Sequence, residues 1–165
     1  MYDVEQICLN CMGMMYDYKL IGWLKCPACG LHKKKEASMI TREELNVYKY
    51  PTTPEVRTNL EKLFTAINII RAAWGKPMTV TSGLRSPDDQ RRLIDAGKSK
   101  AKASNHLIGA AVDIKDFDAK LGEWCKANIG VLEKAGLWCE DPAYTNGWVH
   151  FQCVQPKSGH RFYIP

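Results

Sequence analysis

Two histidines and an aspartate are the residues of this chain best suited to chemistry. His106 lies in the polar, turn-like segment Ser104-Asn105-His106, and Asp113 follows seven positions later at the end of the small, apolar run Gly109-Ala110-Ala111-Val112. That run reads as a buried strand. A carboxylate on a buried strand is costly unless something pairs with it, and a divalent metal is the strongest such partner. His150 sits in a second strand-like run, Trp148-Val149-His150-Phe151-Gln152. Two histidines and one carboxylate are the protein ligands of an open catalytic zinc, which keeps a fourth position for water.

A second set of metal-ligating residues lies near the N-terminus. Cys8-Leu9-Asn10-Cys11 and Cys26-Pro27-Ala28-Cys29 are separated by fourteen residues. Each pair can grip one ion from a tight turn, and together they complete a tetrahedral four-thiolate site, the pattern of a zinc ribbon. The stretch between them has the length of a hairpin. Such a site is closed, so this zinc is expected to be structural, supplying folding energy to a segment too short to build its own core. The remaining cysteines, Cys125, Cys139 and Cys153, bring the total to an odd seven and are expected to be reduced and buried.

The motifs Ser-x-His-x-x-Gly-x-x-x-Asp at 104–113, Ser82-Gly83-Leu84-Arg85-Ser86 before it and Trp148-Val149-His150 after it together resemble the D-Ala-D-Ala carboxypeptidase and L-alanyl-D-glutamate endopeptidase family. These are zinc peptidases of peptidoglycan stem peptides whose fold is shared with the hedgehog signalling domain, and the likeness is greatest to bacteriophage members. It runs from about Thr53 to Pro165. The resemblance implies an α+β domain with a small antiparallel sheet and flanking helices, with His106, Asp113 and His150 on the catalytic zinc. It also implies a substrate-facing Arg85, whose permanently charged guanidinium can hold a carboxylate or a carbonyl oxygen. Ser104 is placed either to bond substrate or simply to shape its turn. Many relatives carry an acidic residue three positions before the last histidine ligand, but here that position is Gly147. The general base is therefore expected from Glu140, whose longer side chain can reach inward from a strand end, or from Asp141, whose place before Pro142 suits a turn.

These residues need a scaffold. Thr52 or Thr53 caps a helix whose apolar face runs from Val56 through Leu60, Leu63, Phe64, Ile67 and Ile70 to Trp74, ended by Gly75 and Pro77. A strand over Met78–Thr81 delivers Arg85 to the turn before a helix capped by Ser86. Asp118 is expected to cap another helix, Val131–Ala135 to add a further helical piece, and residues 161–164 to form an edge strand. The expected division is a ribbon with a basic tail over 1–35, a linker or strap over 36–52, with Thr41 and Glu44 opening a short helix, and the peptidase domain over 53–165.

The composition is that of a globular protein, 45% hydrophobic and 25% charged with net charge +5, which favours an anionic polymer without choosing among them. No apolar run is long enough to span a membrane, and the N-terminal residues lack the pattern of a secretory signal. A chain made in the cytoplasm that acts on the bacterial wall suits a phage lysis or virion enzyme. A non-catalytic wall-binding module is one alternative. A nucleic-acid-associated ribbon protein is another, disfavoured because no aromatic residues interleave with Lys33-Lys34-Lys35.

Overall fold

The computed structural model describes the backbone of residues 4–7, 14–18, 23–25 and 32–34, and residues 39–165 in full. Two compact units result, Met1–Ala37 and Ser38–Pro165. In the first, β1 (Val4–Ile7), β2 (Met14–Tyr18), β3 (Trp23–Lys25) and β4 (His32–Lys34) form an antiparallel sheet in sequence order. The hairpin expected between the cysteine pairs is thus present as β2–β3. Cys8, Cys11, Cys26 and Cys29 lie outside the described residues.

The second unit is α+β. Its sheet comprises β5 (Val80–Ser82), β6 (Ala111–Asp116), β7 (Trp138–Glu140), β8 (Gly147–Gln152) and β9 (Phe162–Tyr163), ordered β5-β6-β8-β7-β9. The expected all-antiparallel sheet is corrected here: β9 returns to the edge beside β7 and runs parallel to it, so the sheet is mixed. One sheet face is covered. Val112, Ile114, Val149, Phe151 and Cys139 pack there against Leu63, Ile67 and Ile70 of helix α2 (Pro54–Trp74), as well as Leu121, Cys125 and Leu132. Alternation along β6 and β8 sends Asp113 and His150 to the opposite face. The helix layer thus packs on the face opposite Asp113 and His150.

Helix starts follow local chemistry. Thr53 caps α2, Ser86 caps α3 (Pro87–Asp95) through a reciprocal box with Asp89, and Thr41 does the same with Glu44 for α1 (Arg42–Leu45). Near the last of these, Ile40 and Leu45 are 2% and 1% exposed within the core. Asn68 of α2 also clasps Ile40, accepting from its N–H and donating to its carbonyl.

Asp118 is not the cap residue of α4 (Lys120–Ala127): it reaches only the Lys120 N–H, at 3.5 Å, and pairs with the Lys120 ammonium in solvent. Asp116, buried at the end of β6, takes the role instead, accepting from the N–H groups of Leu121 and Gly122 at 3.0 and 2.9 Å. It is the better placed carboxylate because Ala119 adopts a left-handed conformation (φ 56°) that turns the first helical amides back toward the strand. A second piece, α5 (Ile129–Ala135), follows as expected. Cys125, Cys139 and Cys153 are free thiols, with burial pushing Cys125 up to about 12 and Cys153 up to about 11. No described helix is long and apolar enough to cross a membrane.

Candidate metal centre

His106 is carried on a single 3-10 turn, Asn105–Ile108, that Ser104 opens by accepting from the His106 N–H at 3.4 Å. Its ring is 2% exposed. Nδ1 lies 2.8 Å from the Gly83 carbonyl. Donation to that oxygen fixes the tautomer and leaves the Nε2 lone pair facing the open side of the sheet. Gly83 has a backbone reason to be glycine: a Cβ there would stand 2.2 Å from the Leu45 carbonyl oxygen, which accepts from the Leu84 N–H at 2.7 Å. The end of α1 thereby presses the 83–84 backbone into the position from which it holds His106.

The other two groups come from adjacent strands. Asp113 and His150 are direct register partners across β6 and β8, with Asp113 Oδ1 2.7 Å from His150 Nδ1 and 3.3 Å from His106 Nε2. His106 Nε2 and His150 Nδ1 are 3.3 Å apart. Among the described residues these three form the one such cluster whose ligand atoms all lie within 4.8 Å of one another. Bonds of about 2.0–2.1 Å at tetrahedral angles require ligand atoms about 3.3 Å apart. Two of the three separations already match, and the donor set suits zinc.

Charge agrees with geometry at His106 and Asp113. Burial holds the His106 pKa below its ordinary value, against the pull of Asp113. Burial acts to raise that of Asp113, but bonds to both imidazoles outweigh it and hold the carboxyl well below its usual range. A neutral imidazole and an ionised carboxylate are the forms a cation binds. For His150, burial is overcome by Asp113 and then Glu140, which raise its pKa.

Arg85 joins this cluster, but its three nitrogens are engaged by the chain itself. Nη2 pairs with Asp113 Oδ2 at 2.6 Å, Nε donates to Ser82 Oγ at 2.7 Å, and Nη1 donates to Gln90 Oε1 at 3.2 Å. Buried Gln90 in turn ties down Ser99 and the Ala101 carbonyl, anchoring the lysine-rich loop before His106.

Glu140 and Asp141 part company. Continuing the β7–β8 register one residue past the Cys139–Phe151 pair brings Glu140 level with His150, and burial, opposed by His150 and aided by Asp113, raises its pKa. Asp141 instead accepts from Lys126 at 2.8 Å and from the Ala143 N–H at 3.0 Å, opening the turn before β8. It is not brought to the metal ligands.

Two neighbours of the site, Tyr163 and Gln152, were not expected from the sequence. Tyr163 is the register partner of Glu140, and its hydroxyl donates to Gln152 Oε1 at 2.6 Å, which also accepts from Asn105 at 2.9 Å. Gln152 thus ties the His106 turn to strands β8 and β9. Alternation from His150 was signal enough to place Gln152 on this face, whereas nothing local announced Tyr163.

The family model for peptidase M15 matches residues 38–152. Among solved structures, the Serratia marcescens L-Ala D-Glu endopeptidase ChiX is similar, with 22% identity over 70% of this chain and 98% of that chain and a TM-score of 0.48. No curated protein matches the chain.

Proposed function

The chain belongs to the peptidase M15 family of metallopeptidases, and from that premise we propose that it is a zinc peptidase hydrolysing peptide bonds in peptidoglycan stem peptides. The observation that carries this reading is the convergence of His106 Nε2, Asp113 Oδ1 and His150 Nδ1 with Glu140 in the same row of side chains. Bound zinc would supply Lewis acidity, lowering the pKa of water and polarising the scissile carbonyl. The chain's own groups do the rest. Glu140 takes the proton of the attacking water and returns it to the departing amine, a role that a half-buried carboxylate with a raised pKa suits. Asp141, committed to Lys126 and its turn, takes no part.

Arg85 acts through Asp113. Holding Oδ2 leaves Oδ1 for the cation and fixes the ligand's rotamer, so its first duty is positioning rather than anchoring a substrate carboxylate. Ser104 shapes the His106 turn. The four N-terminal cysteines are assigned to a separate structural zinc. The likeness of the motifs to phage enzymes supports a role in lysis or wall penetration.

The test is digestion of purified peptidoglycan by the zinc-loaded protein and by its His150→Ala variant, with mass spectrometry of the fragments. New amine termini formed only by the parent protein are expected, and their masses name the bond. A parent protein that binds zinc yet releases nothing from any wall type would overturn the peptidase reading in favour of a wall-binding module.

A further inference from the structure

The site face continues past the metal ligands. One register step beyond the Asp113–His150 pair on that face, Lys115 and Trp148 stand opposite each other across β6 and β8, about 7 Å along the strands. Trp148 is 39% exposed, and Phe117, just beyond the end of β6, is 80% exposed. The Lys115 ammonium sits 4.6 Å from the centre of the Phe117 ring. Gly147 completes the arrangement. With φ +90° and no side chain, it leaves room for Phe117, whose Cδ1 would stand 2.8 Å from a Cβ there. The position at which relatives carry an acidic residue has here become the floor of an aromatic ledge.

Exposed aromatic rings beside the face of the proposed metal ligands offer a binding surface. Its chemistry selects the occupant. The ledge offers ring faces and one ammonium. Ring faces of this kind accept the C–H face of a pyranose, while the ammonium serves a hydroxyl or an acetamido carbonyl at its rim.

We propose that Trp148, Phe117 and Lys115 form a glycan subsite that holds the sugar to which the stem peptide is attached. This rests on the peptidase reading above and adds that the enzyme prefers sugar-linked to sugar-free stem peptide.

The experiment compares kcat/KM on a disaccharide-linked stem peptide and on the same peptide without sugar, for the parent protein and for Phe117→Ala, Lys115→Ala and Trp148→Ala. The parent is expected to prefer the sugar-linked substrate, and each aromatic replacement should reduce that preference ratio about tenfold, as loss of an aromatic contact of about 1–1.5 kcal/mol implies. No preference in the parent, or a ratio unmoved by all three replacements, overturns the subsite. If the parent cleaves neither substrate, the peptidase reading is what fails. The subsite is then decided by titrating the full chain with an N-acetylhexosamine oligosaccharide: a shift of the Trp148 indole resonance supports it, and an unmoved resonance overturns it.

Discussion

Arg85 and Asp113 form a pair in which the guanidinium holds one carboxylate oxygen at 2.6 Å while the other oxygen faces both imidazoles. Both side chains are largely buried, 16% and 11% exposed, so the pairing is little screened by solvent. It divides the carboxylate between a cation that the chain supplies and a cation that it must acquire. A sequence motif that places an arginine near an active site does not distinguish a substrate anchor from a ligand holder. Here the partners of its three nitrogens favour the ligand holder proposed above.

Replacing Arg85 with glutamine should therefore weaken zinc binding at the catalytic site by about 10–100-fold, the usual consequence of removing a group that orients a metal ligand. Competition against a chromophoric chelator measures it. An unchanged zinc affinity accompanied by a higher KM would return Arg85 to the role of substrate anchor.

Glu140→Gln separates catalysis from stability. Loss of the proposed general base should lower kcat by about 10²–10⁴-fold. Stability should move the other way. Because the folded-state pKa of Glu140 lies above its ordinary value of 4.5, chiefly through burial, its protonated form is favoured by folding. That contribution is present below the unfolded value and is lost as pH rises through the folded one. The amide that replaces the carboxyl does not ionise, so the metal-free variant should melt at or above the parent at neutral pH. The difference should vanish below about pH 4.5, the ordinary value for this carboxyl, as followed by thermal denaturation across pH.

Much of this site was legible in the chain. His106, Asp113 and His150 could be singled out because they stand inside motifs that resemble those of a zinc peptidase family, and Glu140 because that resemblance expects an acid where Gly147 stands. What escaped was set by register. Which of two consecutive acids faces the ligands depends on the pairing of β7 with β8, and Tyr163 meets Glu140 only because β9 returns parallel to β7. The caps divide in the same way. Thr41, Thr53 and Ser86 act on amides three residues ahead and could be read directly. Asp116 caps α4 across a left-handed Ala119, a backbone turn that no side-chain pattern advertises.

That cap gives a stability prediction with no catalytic content. Asp116→Ala should destabilise the protein by about 1–2 kcal/mol, since two helical amides lose their acceptor. Asp116→Asn, which retains one oxygen acceptor, should lose less. Chemical denaturation of the zinc-loaded protein reads both, and equal losses would mean that the negative charge at the helix start outweighs the hydrogen bonds.

Restoring an acid at the position that many relatives use should not restore activity. Gly147→Glu forces a side chain onto a φ of +90° and into the volume of the Phe117 ring, so it is expected to cost about 1–3 kcal/mol of stability. Combined with Glu140→Gln, it should leave hydrolysis at the level of Glu140→Gln alone. Adding Phe117→Ala to that pair relieves the steric conflict but leaves the backbone strain, so the triple variant should regain stability and still not hydrolyse. Recovery of activity in either combination would show that the two strand positions are interchangeable sources of the base. The row across β6, β8 and β7 would then tolerate more than one path for the proton.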